Sequence, residues 1–154
     1  MHPEALFAEL TVSLVGHPIT FTRLAANSLL LYVDCEPGDK SGFIIWFEPI
    51  WHMSAPEGVL VGSLQAQGDS DDGATIEELD QIGAPLQRML GQPVTAIEVD
   101  QRTHDLTLTV DNKYFVKTFA SDPRVGESWH ILDKARDWTL YGSPGGWKVR
   151  GPSA

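Results

Sequence analysis

The chain has 154 residues, 42% of them hydrophobic and 21% charged, a composition that suits one compact domain with a shared core. Its formal net charge is −10, from 21 Asp and Glu against 11 Lys and Arg. That sign argues against nucleic acid and anionic membranes as direct ligands and favours a basic protein partner, because opposite fields speed encounter.

Cys35 is the only cysteine. It leaves no intrachain disulfide and points to a reducing compartment. The start, Met1-His2-Pro3-Glu4-Ala5, lacks the basic opening and apolar run of a signal peptide. The purest apolar runs, 29–33 and 43–47, are far too short to cross a bilayer. The expectation is a soluble, cytoplasmic protein.

In chain order, Pro3 opens a helix in which Leu6, Phe7 and Leu10 share a face. Residues 29–33 are apolar at every position, which predicts a strand buried on both sides. The turn-rich loop 36–42 leads to the apolar strand 43–47, and a further strand is predicted at 59–63. Residues 66–74 are small, polar and acidic and form the one clear linker. Thr75-Ile76-Glu77-Glu78 spells a capping box, so a second helix starts there, broken at Gly83-Ala84-Pro85 and restarted as a short helix over 85–90. Strands follow at 94–99 and 105–111, where Leu106, Leu108 and Val110 alternate with threonines. Asp111-Asn112-Lys113 is a hairpin turn into the strand at 114–119. A last strand is predicted at 138–142, with Ser143-Pro144-Gly145-Gly146-Trp147 as a closing turn.

Five blocks recur in the same order at spacings of 72 to 80 residues. Gly16-His17-Pro18-Ile19-Thr20 matches Gly91-Gln92-Pro93-Val94-Thr95, and Leu29–Asp34 matches Leu106–Asp111 in pattern. Phe43 to Phe47 matches Phe115 to Phe119, Trp51-His52 matches Trp129-His130, and Leu60 to Ser63 matches Leu140 to Ser143. Composition alone would give about 0.2 Trp-His pairs, against the two present. The expectation is an α+β fold of about eight strands. It is built from two diverged copies of a helix-plus-antiparallel-meander unit, 1–65 and 75–150, packed with pseudo-twofold symmetry.

Candidate chemistry is sparse. His52 and His130 could form a base or ligand pair between the halves, with Trp51 and Trp129 beside them. A duplicated Trp-His pair more often anchors the core of each copy. Asp69-Ser70-Asp71-Asp72-Gly73 lacks the ligand frame of a calcium loop, with Asp80 rather than a bidentate Glu at the twelfth position. The five histidines carry no zinc spacing, and Cys35, between Asp34 and Glu36, is a poor nucleophile. No nucleophile elbow, phosphate loop or dinucleotide fingerprint is present. No metal, cofactor or catalytic residue is assigned.

Leu90-Gly91-Gln92-Pro93-Val94-Thr95-Ala96-Ile97, the run Asp105 to Asp111 with Tyr114-Phe115 behind it, and the late Trp138 together resemble small acidic bacterial immunity proteins of polymorphic-toxin systems. The pattern is echoed from Leu14 onward and covers roughly 60 residues in each half. The resemblance implies a cytoplasmic, β-rich protein that neutralises a basic toxin by binding it, and it carries over no active-site residue; the expected state is a monomer or homodimer. Asp69, Asp71, Asp72, Glu77, Glu78 and Asp80 are the candidate contact residues. The alternatives are a small-ligand protein or enzyme with a site between the halves at His52 and His130, and a structural assembly subunit.

Overall fold

A computed structural model describes residues 1–67, 73–120, 122–124 and 126–152. The fold is mixed α and β, dominated by two antiparallel sheets. The first half runs α1 (Pro3–Leu14), β1 (Ile19–Ala25), β2 (Ser28–Val33), β3 (Phe43–Phe47), β4 (Trp51–Ala55), β5 (Gly58–Gly62) and α2 (Ser63–Ala66). The second runs α3 (Ile76–Ile82), a 3-10 segment (Ala84–Met89), β6 (Val94–Val99), β7 (Leu106–Val110), β8 (Tyr114–Thr118), β9 (Trp129–Asp133), β10 (Trp138–Ser143) and β11 (Gly146–Arg150).

Eleven strands among the described residues replace the expected eight or so. Beyond the seven segments read directly from the sequence, the added strands are β1, β4, β9 and β11. β4 and β9 are five residues long and open on the Trp-His pairs, whose strand alternation was hidden by their reading as anchors. At the C-terminus the expected closing turn is a hairpin. Ser143 pairs with Gly146, which takes φ +139°, and the chain returns alongside β10 as β11. The helix expected at 85–90 is a 3-10 segment one residue earlier, with Pro near its start.

Strand order is β1-β2-β3-β9-β10-β11 in one sheet and β5-β4-β8-β7-β6 in the other. Each half therefore gives three consecutive strands to one sheet and its next strands to the other. The joins are β3 against β9 and β8 against β4, both antiparallel. The buried faces of both sheets share one hydrophobic core. Leu29, Leu31, Val33, Ile45, Phe47, Trp129, Ile131 and Leu140 come from the first sheet. Trp51, Met53, Val61, Val94, Leu106, Leu108, Val110 and Val116 come from the second.

The helices close the flanks between the sheets. α1 buries Leu6, Leu10 and Leu14, at a spacing of four, and packs on β6, β10 and β11. The 3-10 segment buries Leu86 and Met89 and packs on β1 and β5. The two Gly-x-Pro turns meet between the halves through reciprocal bonds. Ile19 N–H donates to the Gln92 carbonyl (2.9 Å) and Val94 N–H to that of His17 (2.8 Å). Gly16 N–H donates to the Val94 carbonyl (2.7 Å) and Gly91 N–H to that of Ile19 (2.8 Å).

One sequence match slips. Phe115 and Phe119 were paired with Phe43 and Phe47, yet both are 40% exposed. Val116 lies opposite Leu108 as Ile45 lies opposite Leu31, so Thr118 occupies the place of Phe47. Strand alternation sends the intervening residue outward, and a one-residue slip exchanges faces.

Candidate functional site

Trp51 and Trp129 are each the first residue of a strand and are essentially fully buried, at 1% and 0% exposure. The Trp51 indole N–H donates to the Asn27 carbonyl (2.8 Å), and that of Trp129 to the His104 carbonyl (2.7 Å). Both acceptors stand two residues before the first core leucine of the next strand, Leu29 or Leu106. The indoles therefore fill the core and tie down the loops ahead of β2 and β7, as expected of a buried Trp that satisfies its polar edge.

The next residue of each strand points the other way. His52 faces out from the five-stranded sheet, opposite Lys117 on β8, with its ring 4.8 Å from that of Phe119. Burial, then the Lys117 ammonium, holds its pKa below the usual histidine value. His130 faces out from the six-stranded sheet, stacked on Trp46 at 5.3 Å and 20°, with Tyr141 at 5.4 Å on its other side. Burial lowers its pKa too, against an opposing effect of Glu48. The two histidines belong to different sheets and to outward faces, so strand alternation separates them instead of bringing them together.

Around His130 lies a feature that the sequence motifs did not single out. Pairing registers align Arg23, Leu30, Trp46, His130, Tyr141 and Lys148 in one row across all six strands. A second row aligns Phe21, Tyr32, Ile44, Leu132, Thr139 and Arg150. Leu30 and Tyr32 form a second small apolar cluster with Cys35, packed by Phe21, Ile44 and Trp46, on the face away from the main core. Lys148 Nζ and the Arg150 guanidinium both lie 5.4 Å from the Tyr141 ring. The available signal was the doubly apolar run Leu29 to Val33, read only as centrality. The alternation of Trp147 and Val149 with Lys148 and Arg150 was a second signal.

Of the candidate acidic residues, Glu77, Glu78 and Asp80 are exposed on α3. Glu78 completes the capping box: its carboxylate accepts from Thr75 N–H (3.3 Å) and its own N–H donates to the Thr75 hydroxyl (3.2 Å). Asp69, Asp71 and Asp72 lie outside the described residues. α3 buries no residue, and with Phe21 to Leu24 of β1 it lines a groove of about 400 Å³ that includes Arg23 and Asp80.

Cys35 is buried, with Sγ 3.4 Å from the Phe43 carbonyl, and burial pushes its thiol pKa up, away from nucleophilic use. His17 Nδ1 pairs with the Asp34 carboxylate at the surface. Among the described residues no three His, Cys, Asp or Glu side chains are arranged to hold a metal ion, and no helix is long and apolar enough to cross a membrane. Compared with models of known families, with curated proteins and with solved structures, the chain matches none.

Proposed function

We propose that this chain is a non-enzymatic protein-binding module of the immunity or inhibitor type, whose acidic surface takes a basic bacterial toxin. The observation that carries this reading is α3. It buries no residue of its own, yet it presents Glu77, Glu78 and Asp80 to solvent on a chain of net charge −10. A helix that contributes so little to the core has its sequence free for recognition. Two of its carboxylates also suit its N-terminus, where the helix dipole favours negative charge. The carboxylates would steer and orient a basic partner, and the contact would weaken with salt.

The same proposal includes an origin by internal duplication, with pseudo-twofold packing of the halves. Its support is a series of paired features. These are the reciprocal bonds between the Gly-x-Pro turns, and the matching indole bonds of Trp51 and Trp129. Further support comes from Thr20 and Thr95. Each hydroxyl accepts a loop N–H at 3.0 Å, from Cys35 and Asn112 respectively; that of Thr95 donates to the Thr109 carbonyl (3.2 Å), while that of Thr20 lies nearer the Cys35 carbonyl (2.5 Å) than the matching Tyr32 carbonyl (3.3 Å). Asp34 and Asp111, at the ends of β2 and β7, both take positive φ, 59° and 53°. On this reading the Trp-His pairs are inherited anchors, the parts without a counterpart are the linker, the 3-10 segment and the loop 36–42, and α3 is the opening helix of the second copy, turned to recognition by its acidic face.

Affinity capture from the native host at low ionic strength tests the function. A basic protein should be retained and then released as salt rises. The triple variant Glu77→Lys, Glu78→Gln, Asp80→Lys should lose it while keeping its fold. A partner retained equally by both chains would place the contact elsewhere.

A further inference from the structure

The two cross-strand rows on the outer face of the six-stranded sheet have a chemistry unlike the rest of the chain. Of their twelve residues, Arg23, Lys148 and Arg150 are cations and none is a carboxylate, although acids outnumber bases 21 to 11 overall. The cations stand on the two edge strands, β1 and β11. Phe21 accompanies Arg23 on β1, and between the edge strands lie Leu30, Tyr32 and Thr139, already buried, with Ile44, Trp46, His130, Leu132 and Tyr141 only partly covered. An outward face of an antiparallel sheet is ordinarily polar. Trp, Tyr and Arg in one patch are instead the composition of a protein interface core.

The charges are also incompletely met. Arg23 and Arg150 make no ion pair among the described residues. Lys148 reaches only Glu127, at 3.9 Å, a carboxylate that also lies 3.9 Å from His130 Nδ1. Glu48, the other acid near His130, is engaged by the Ser28 hydroxyl at 2.7 Å. Within the patch, the Trp46 indole N–H and His130 Nδ1 are buried without a hydrogen-bond partner, a cost usually avoided in finished interiors.

We propose that this face docks an acidic protein segment. Its apolar side chains would cover Trp46, His130 and Tyr141, and its carboxylates would pair with Arg23 at one end and with Arg150 and Lys148 at the other. The spacing sets the length. Five interstrand gaps of about 4.8 Å separate the edge strands by about 24 Å, the span of a helix of about 16 residues. Charge complementarity selects carboxylates at both ends of that span. It disfavours a second copy bound through the same face, because a twofold would bring Arg23 of one copy over the cations of β11 of the other. The proposal is distinct from the reading of α3 as the contact for a basic partner, although Arg23 and Asp80 line the same groove.

Two fluorescent peptides of about 16 residues test it on the full chain, each a helix with a leucine stripe. One has glutamates at both ends, the other lysines. The Glu-ended peptide should bind saturably and about tenfold more tightly than the Lys-ended one, and should weaken with salt. Arg23→Glu with Lys148→Glu and Arg150→Glu, all at exposed positions, should leave the melting temperature unchanged and reverse the preference. The proposal is overturned if the Lys-ended peptide binds the natural chain as well as the Glu-ended one, or if neither saturates by about 1 mM. It is equally overturned if light scattering shows a dimer that the triple variant dissolves. Glu77→Lys with Glu78→Gln, which leaves Asp80 in the groove with Arg23, should bind the Glu-ended peptide normally, so failure of one surface is distinguishable from failure of the other.

Discussion

At the residue scale, the Trp-His dipeptide divides its labour by strand alternation. The indole fills the core and the imidazole faces outward. Trp51→Phe and Trp129→Phe keep an aromatic body but remove the N–H that ties down Asn27 or His104. Each should cost about 1 kcal/mol or more in urea unfolding, from the lost bond and the carbonyl left behind. If the pair is a repeated anchor, the two losses should be similar; a change at one site alone would separate their roles.

The outward histidines make stability depend on pH, and the sign follows from burial. His130 and His52 have pKa values below the ordinary 6.5 in the folded chain. Once unfolded, they take up protons near 6.5 again. Between the lowered folded value and 6.5, the unfolded state holds more protons. Stability is therefore fully present above that window and is lost as pH falls through it. Urea midpoints should drop on acidification from neutral pH to below the folded-state values. His130→Phe, which preserves the stack on Trp46, should flatten part of that slope.

At the element scale, Gly142 on β10 shows how one missing side chain admits a large one. A Cβ there would overlap the buried Trp129 ring on the neighbouring strand. Gly142→Ala should therefore destabilise by roughly 1–3 kcal/mol, as overpacking does. Gly145→Ala, in the adjacent hairpin and facing open space, should be neutral by the same thermal melt.

Much of the element list was legible in the sequence, and the misses have definite causes. The capping box at Thr75, the shared face of Leu6, Phe7 and Leu10, and the alternating threonines of β7 each state a period or a cap, and each appears in the structure, where Leu14 extends the face of α1. β4 and β9 are too short to establish a period, and their aromatic starts drew a packing interpretation alone. β11 was hidden because Gly145-Gly146 marks a turn without saying whether the chain continues beyond it. The sheet face containing Trp46, His130 and Tyr141 could not be read from any one segment. It exists only after β3 pairs with β9, a contact between residues more than 80 positions apart in sequence.

At the scale of the whole molecule, β3–β9 and β8–β4 pairing decides the character of the fold. Each sheet takes strands from both halves, and the helical elements at the start of each half pack on strands of the other. Neither half holds a complete sheet or a closed core, and a chain of either length lies near the lower limit for independent folding. The protein-binding reading rests on the same economy: the buried faces serve the core, so recognition falls to outward faces and to α3.

Circular dichroism of residues 1–67 and 73–154, expressed separately and then mixed, tests the exchange of strands between the halves most directly. Each fragment alone should lack a cooperative melt, and mixing should restore the β spectrum with one transition. A cooperative melt of either fragment alone would contradict it.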